Sequence, residues 1–118
     1  MADVKQLLIQ TLADLYKDYP VYLQGSLTES QVYPDHFFTY WNNSTDDSAH
    51  YSNVEHSNIW DFDLNFYSVD PDKVNAVLLT VKAALRVQGF LIGSVGYDVM
   101  SDEETHTGRG MNVIYVDF

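Results

Sequence analysis

Apolar and polar positions alternate with a period of two from Ile59 to Tyr67. Trp60, Phe62, Leu64 and Phe66 fall on one side, and Ile59, Asp61, Asp63, Asn65 and Tyr67 on the other. Alternation carried by large aromatics predicts a strand with one dry face and one mostly polar face. Ser68-Val69-Asp70-Pro71-Asp72 then ends the strand and starts a helix. Asp70 suits the N-cap, Pro71 the first turn, and Asp72 the positive end of the helix dipole. From there the period changes to three and four: Val74, Val77, Leu78, Val81, Ala84 and Leu85 form one stripe, and Gly89 follows as the residue just beyond the last turn. The segment thus reads as a strand leading into an amphipathic helix, Asp70 to Gln88, that packs back on the strand's dry face.

The flanking chain supplies the other elements. Asp3 and Gln6 resemble a capping pair, and Val4, Leu7, Leu8, Thr11, Leu12 and Leu15 make a first helical stripe to about Tyr16. Tyr19-Pro20 stops it, because the residue before proline is pushed out of the α region. Val21 to Leu23 is a short strand closed by Gly25-Ser26, and Phe37 to Trp41 is a second strand, so aromatic that its buried face is ambiguous. From about Asn43 to Asn58 the chain is polar, and so long a connection between two strands is expected to be functional or disordered. Phe90 to Met100 reads as extended but interrupted by Gly93 and Gly96, and Met111 to Phe118 alternates again. The expected fold is a single α+β domain over residues 1–118. It is a two-layer sandwich in the order α-β-β-β-α-β-β, with two helices on one face of a mostly antiparallel sheet of about four to five strands.

Composition changes this picture mainly through charge. The 118 residues carry a net charge of −11, which alone suggests disorder, but a hydrophobic share of 46% argues for a packed core. No Lys or Arg occurs between Asp18 and Asp72, while Glu29, Asp35, Asp46, Asp47, Glu55, Asp61 and Asp63 all fall in that span. Such a surface does not hold phosphate backbones by counterion release, so ordinary nucleic-acid binding is disfavoured. It could repel DNA, imitate it, meet a basic partner, or simply keep the protein in solution. The absence of cysteine removes disulfides and thiolate metal sites. The N-terminus lacks the pattern of a signal peptide and no apolar run is long enough to span a bilayer, so a soluble protein made in a cytoplasm, with no membrane partner, is expected.

Candidate chemistry is sparse. His50 and His56 flank Glu55 in the polar connection, but the spacing is not that of a zinc motif and nothing rigid would hold them. Asp61 and Asp63 share a strand face, as carboxylates for a metal or for acid–base work do, and a small metal-dependent hydrolase would rest on them and the histidines. The polar side of an alternating strand is the better explanation of the pair. No nucleophile or phosphate-loop motif is present. Neither catalytic residues, nor a metal, nor a cofactor is expected. Surface remains: with both helices on one face, the other face is expected to carry Asp61, Asp63, Asn65 and Tyr67 beside Met111, Val113 and Tyr115. A mixed aromatic and polar face of this kind suits a protein contact. The candidate contact residues are Tyr40, Asp46, Asp47, Tyr51, Tyr67, Met111, Val113 and Tyr115.

Val21-Tyr22-Leu23-Gln24-Gly25, then Phe37-Phe38-Thr39-Tyr40-Trp41-Asn42, an acidic polar connection, and Trp60 to Ser68 running into a helix that closes with Gly89-Phe90 resemble small structural proteins of long-tailed bacteriophages. The pattern is most similar to the tail terminator, or tail-completion, family of siphophage neck proteins. It spans nearly the whole chain and rests on element order rather than on a diagnostic motif. The resemblance implies a non-enzymatic subunit of a homo-oligomeric, usually hexameric, ring in the virion neck. That ring caps the finished tail tube, contacts the tail tube protein and a head-completion protein, and lets DNA pass without specific binding. A reading from another class is an acidic DNA mimic that occupies the basic site of a partner.

Overall fold

A computed structural model of the chain describes residues 3–24, 33–47, 58–93, 96–101 and 104–117. Its centre is β3 (Asn58–Ser68), paired antiparallel along its whole length with β2 (His36–Asp47) on one side and β5 (Thr107–Asp117) on the other. The short β1 (Val21–Leu23) joins β2 in parallel and the short β4 (Tyr97–Val99) joins β5 antiparallel, giving a five-stranded mixed sheet in the order β1-β2-β3-β5-β4. Helices α1 (Val4–Leu15) and α2 (Pro71–Val87) complete the α+β fold.

Both helices begin on the caps that the sequence predicts. The Asp3 carboxylate accepts from the Gln6 N–H at 3.1 Å, and the Asp70 carboxylate accepts from the Asp72 N–H at 3.0 Å. Each satisfies one of the donors that a helix start leaves over. Pro71 stands in the first turn of α2, and Gly89, with φ 103°, takes the left-handed conformation after its last turn. Phe62, Leu64 and Phe66 of β3 are fully buried in one cluster with Val4, Leu8 and Leu12 of α1 and Val74, Val77, Leu78, Val81 and Leu85 of α2. The dry face of β3 and the two helical stripes therefore form one core. Among the described residues no helix is long and apolar enough to cross a membrane.

Three expectations need correction. The polar connection does not begin at Asn43: β2 continues to Asp47 and β3 starts at Asn58, with a bulge between Asn42 and Ser44. Backbone pairing with an available neighbour outweighs the poor strand propensity of Asn and Asp. The rest of that connection, with the turn expected at Gly25-Ser26, lies outside the described residues. Second, Phe90 to Met100 is not one strand. Phe90 and Ile92 enter the core, Leu91 makes a single bridge to Ile114, and β4 begins only after Gly96, whose φ of 105° breaks the extended run. Third, Met111, Val113 and Tyr115 stand opposite Leu64, Phe62 and Trp60 in the register, so they share the helix-covered face instead of lying beside Asp61 and Asp63. Met111 and Val113 are buried in the core, and Tyr115 packs against it with its ring edge-on to Phe90 at 4.9 Å. The residues of β5 that share the Asp61 face are Gly108, Gly110, Asn112 and Ile114.

Leu78, 1% exposed, is the point where α2 meets this core. Leu78→Ala should cost about 2–5 kcal/mol in urea unfolding. A loss below about 1 kcal/mol would show that the helix does not close the sheet.

Candidate interaction face

The sheet face opposite the helices carries three successive environments. At one end, Phe37 is buried although neither α1 nor α2 covers it. Tyr67 stacks on it at 5.1 Å, and Tyr22, Tyr33 and His106 meet it edge-on at 6.0, 5.7 and 5.7 Å. His106 Nε2 lies 2.7 Å from the Pro34 carbonyl oxygen, which ties the segment before β2 to the segment before β5. This small aromatic core accounts for Tyr67: it is a packing residue, and only partly exposed.

In the middle, β5 presents glycine. A Cβ on Gly108 would come within 2.7 Å of the Tyr67 ring and 2.8 Å of Val99, and one on Gly110 would collide with Oδ1 of Asn65. Missing side chains on β5 thus let Tyr67 and Asn65 of β3 and Val99 of β4 close over it. Thr39, opposite Asn65 and buried, keeps an Oγ1 with no hydrogen-bond partner.

At the far end the face turns polar and acidic. Asp61 accepts from Asn112 Nδ2 at 2.5 Å and from Asn43 Nδ2 at 3.2 Å, and Asn112 also donates to the Phe62 carbonyl at 3.2 Å. Asn43 is the residue at the β2 bulge, and bulges commonly re-aim a side chain in this way. The Tyr97 hydroxyl reaches Asp63 from β4, and its pKa is raised above the ordinary 10.0, first by burial and then by the negative charge and hydrogen bond of Asp63, with Asp61 adding to it. Trp41, opposite Asp63 in the register, is 47% exposed, and Tyr97 is 39% exposed. Two carboxylates with amide and phenol donors, bordered by half-exposed rings, can accept further donors or a cationic side chain. Among the described residues no group of three or more His, Asp or Glu is placed to hold a metal ion.

The remaining sequence candidates separate. Tyr40 stands opposite Leu64 on the helix side and packs against the core. Asp46 and Asp47 pair with Ile59 and Asn58 at the outer end of the β2–β3 ladder. Tyr51, His50 and His56 lie outside the described residues. The sequence reading did not single out Trp41, Asn43, Tyr97 or Asn112. Trp41 could have been found by extending the alternation Phe37, Thr39, Trp41, whereas nothing local marks Tyr97, which reaches Asp63 only through the strand order.

No family model matches the sequence, and no curated protein matches it.

Two outcomes follow from this geometry. Gly110→Ala should lose about 1–3 kcal/mol, because Asn65 has to move aside, and thermal unfolding would read it. For Tyr97, the unfolded chain gives up the phenol proton near pH 10 while the folded chain still holds it. Its contribution to stability is therefore complete below pH 10 and disappears as pH rises through the raised folded value. Tyr97→Phe should flatten the alkaline limb of the stability curve. Asp63→Asn should bring the titration, followed by phenolate absorbance, part of the way down, since burial remains.

Proposed function

We propose that the chain is a non-enzymatic structural subunit of a phage virion, which assembles as a ring at the end of the tail tube and offers the surface to which the head joins. The observation that best supports this reading is the sheet face opposite α1 and α2, where Trp41 stands half-exposed beside the Asp61–Asp63 cluster. An aromatic anchor bordered by polar groups is the composition of a protein contact. A subunit with one helical side and one open sheet side also presents two chemically different surfaces, which a head-to-tail ring requires. In this reading the partners are further copies of the chain, the tail tube protein and a head-completion protein. The excess of carboxylates keeps passing DNA from adhering. The DNA-mimic reading is less well supported. Asp61 and Asp63 accept amide and phenol hydrogens from their own chain rather than standing as a row of phosphate-like charges.

Complementation of a phage that lacks the gene tests the proposal. The deletion should give over-long tails without heads, and the wild-type gene should restore joined particles. Trp41→Ser should fold, with a stability loss of about 1 kcal/mol, yet fail to restore joining. Tails of normal length with normal joining in the deletion would refute the reading.

A further inference from the structure

The outer side of α2 is an unpartnered surface of a different kind. Its inner stripe is used by the core, yet Ala76, Leu79 and Ala83 form a second apolar stripe turned to solvent, with Leu79 44% exposed. Asp72 and Arg86 lie on this same stripe, seven residues before and seven after Leu79, or two turns in each direction. Both are exposed, and among the described residues Arg86 has no ion-pair partner.

The equal spacing matters because it is self-complementary. When two copies of α2 lie antiparallel with Leu79 on a two-fold axis, Asp72 of each falls opposite Arg86 of the other. The alanines on either side of Leu79 let the helices approach closely, and the two dipoles run in opposite directions. Each charged residue also has a local reason for its place, since an acid suits a helix start and a base its end. That explains their order along the helix but not their common stripe with an exposed leucine midway between them. The charges of the helix also select among the ways in which two copies could pair. Residues 73–97 contain Lys73, Lys82 and Arg86 and no carboxylate, in a chain with 17 acidic residues. A parallel pairing in register would set Asp72 against Asp72 and Arg86 against Arg86, whereas the antiparallel register centred on Leu79 sets Asp72 against Arg86.

We infer that α2 is the contact of a two-fold homodimer, with Leu79 packed on its own copy and reciprocal Asp72–Arg86 pairs at both ends. An isologous contact of this kind is the commonest way for identical chains to associate. One crossed helix pair buries less than the roughly 1,200–2,000 Å² of a stable interface, so the dimer is a weak and reversible one. The contact lies on the side of the molecule away from the open sheet face and is independent of the ring reading.

The chain contains no cysteine, so an introduced thiol reports directly on which surface meets its own copy. Leu79→Cys in the full chain, exposed to oxidised glutathione, should form disulfide-linked dimer about tenfold or more faster than Leu91→Cys, because residues on a two-fold axis see each other at high effective concentration. Leu91 is the stringent control, being 59% exposed in the wild type against 44% for Leu79. Adding Arg86→Asp to Leu79→Cys should lower cross-linking to the control rate, and adding Asp72→Arg to that variant should restore it. Far-ultraviolet circular dichroism checks that each variant keeps its helices. Equal rates for the two cysteines, or a Leu79→Cys rate that ignores Arg86→Asp, would overturn the inference. A Leu79→Cys rate that falls with Arg86→Asp but does not recover with the reciprocal change would overturn the antiparallel pairing.

Discussion

Everything in this protein depends on β3 being paired on both sides and used on both faces. Its ladder to β2 and β5 satisfies the backbone, so its side chains alone decide what lies above and below the sheet. On one side, Phe62, Leu64 and Phe66 are fully buried and demand a covering layer, which the inner stripes of α1 and α2 provide. On the other, Asp61 and Asp63 make a second complete cover costly, because carboxylates removed from water have to be matched by donors. The partial cover that does form follows this limit. It is aromatic around Phe37, close-packed over the β5 glycines, and hydrogen-bonded around Asp61.

The glycines of β5 show how composition in one strand sets chemistry in another. Gly108 and Gly110 are poor strand formers, yet they leave the space into which Tyr67, Asn65 and Val99 settle. On the same face Tyr97 of β4 reaches across β5 to Asp63. Arg109, between the two glycines, points the other way in the register. It bonds Asp98 at 2.8 Å and the Gly96 carbonyl at 3.2 Å, fixing β4 from the opposite side. The acidic end of the open face thus takes one of its donors from a strand of three residues, held by its ladder to β5 and by the Arg109–Asp98 pair.

The legible parts of the sequence were those with one dominant period. β3 and α2 announce themselves because their apolar residues occupy only one of the available faces, and their caps follow standard chemistry at Asp3, Asp70 and Gly89. β5 was misread for the opposite reason. Met111, Val113 and Tyr115 alternate with Ile114 and Val116, so both faces are apolar and a period of two cannot choose between them. Only the pairing of Met111 with Leu64 and Val113 with Phe62 decides, and that is a tertiary fact. The length of β2 was hidden likewise, since Asn42 to Asp47 have little strand propensity and extend because β3 lies alongside. The candidate site shared this fate: its carboxylates were visible as an alternating pair, but Asn43, Asn112 and Tyr97 come from three other strands.

These constraints bear on what kind of work the molecule can do. Among the described residues, the open sheet offers a face whose polar groups are spread along four strands and held by one another. The Asp61 carboxylate accepts from two amides, and Asp63 from a phenol whose pKa is raised first by partial burial and then by Asp63 itself. Groups fixed in this way lose little entropy when a second surface meets them, which favours recognition of a shaped partner. Trp41 adds a large rigid area beside them with few rotamers to restrict. The open face and the outer stripe of α2 lie on opposite sides of a two-layer fold, so occupation of one does not block the other. A small chain can in this way take part in two separate contacts while spending only one core on its own stability.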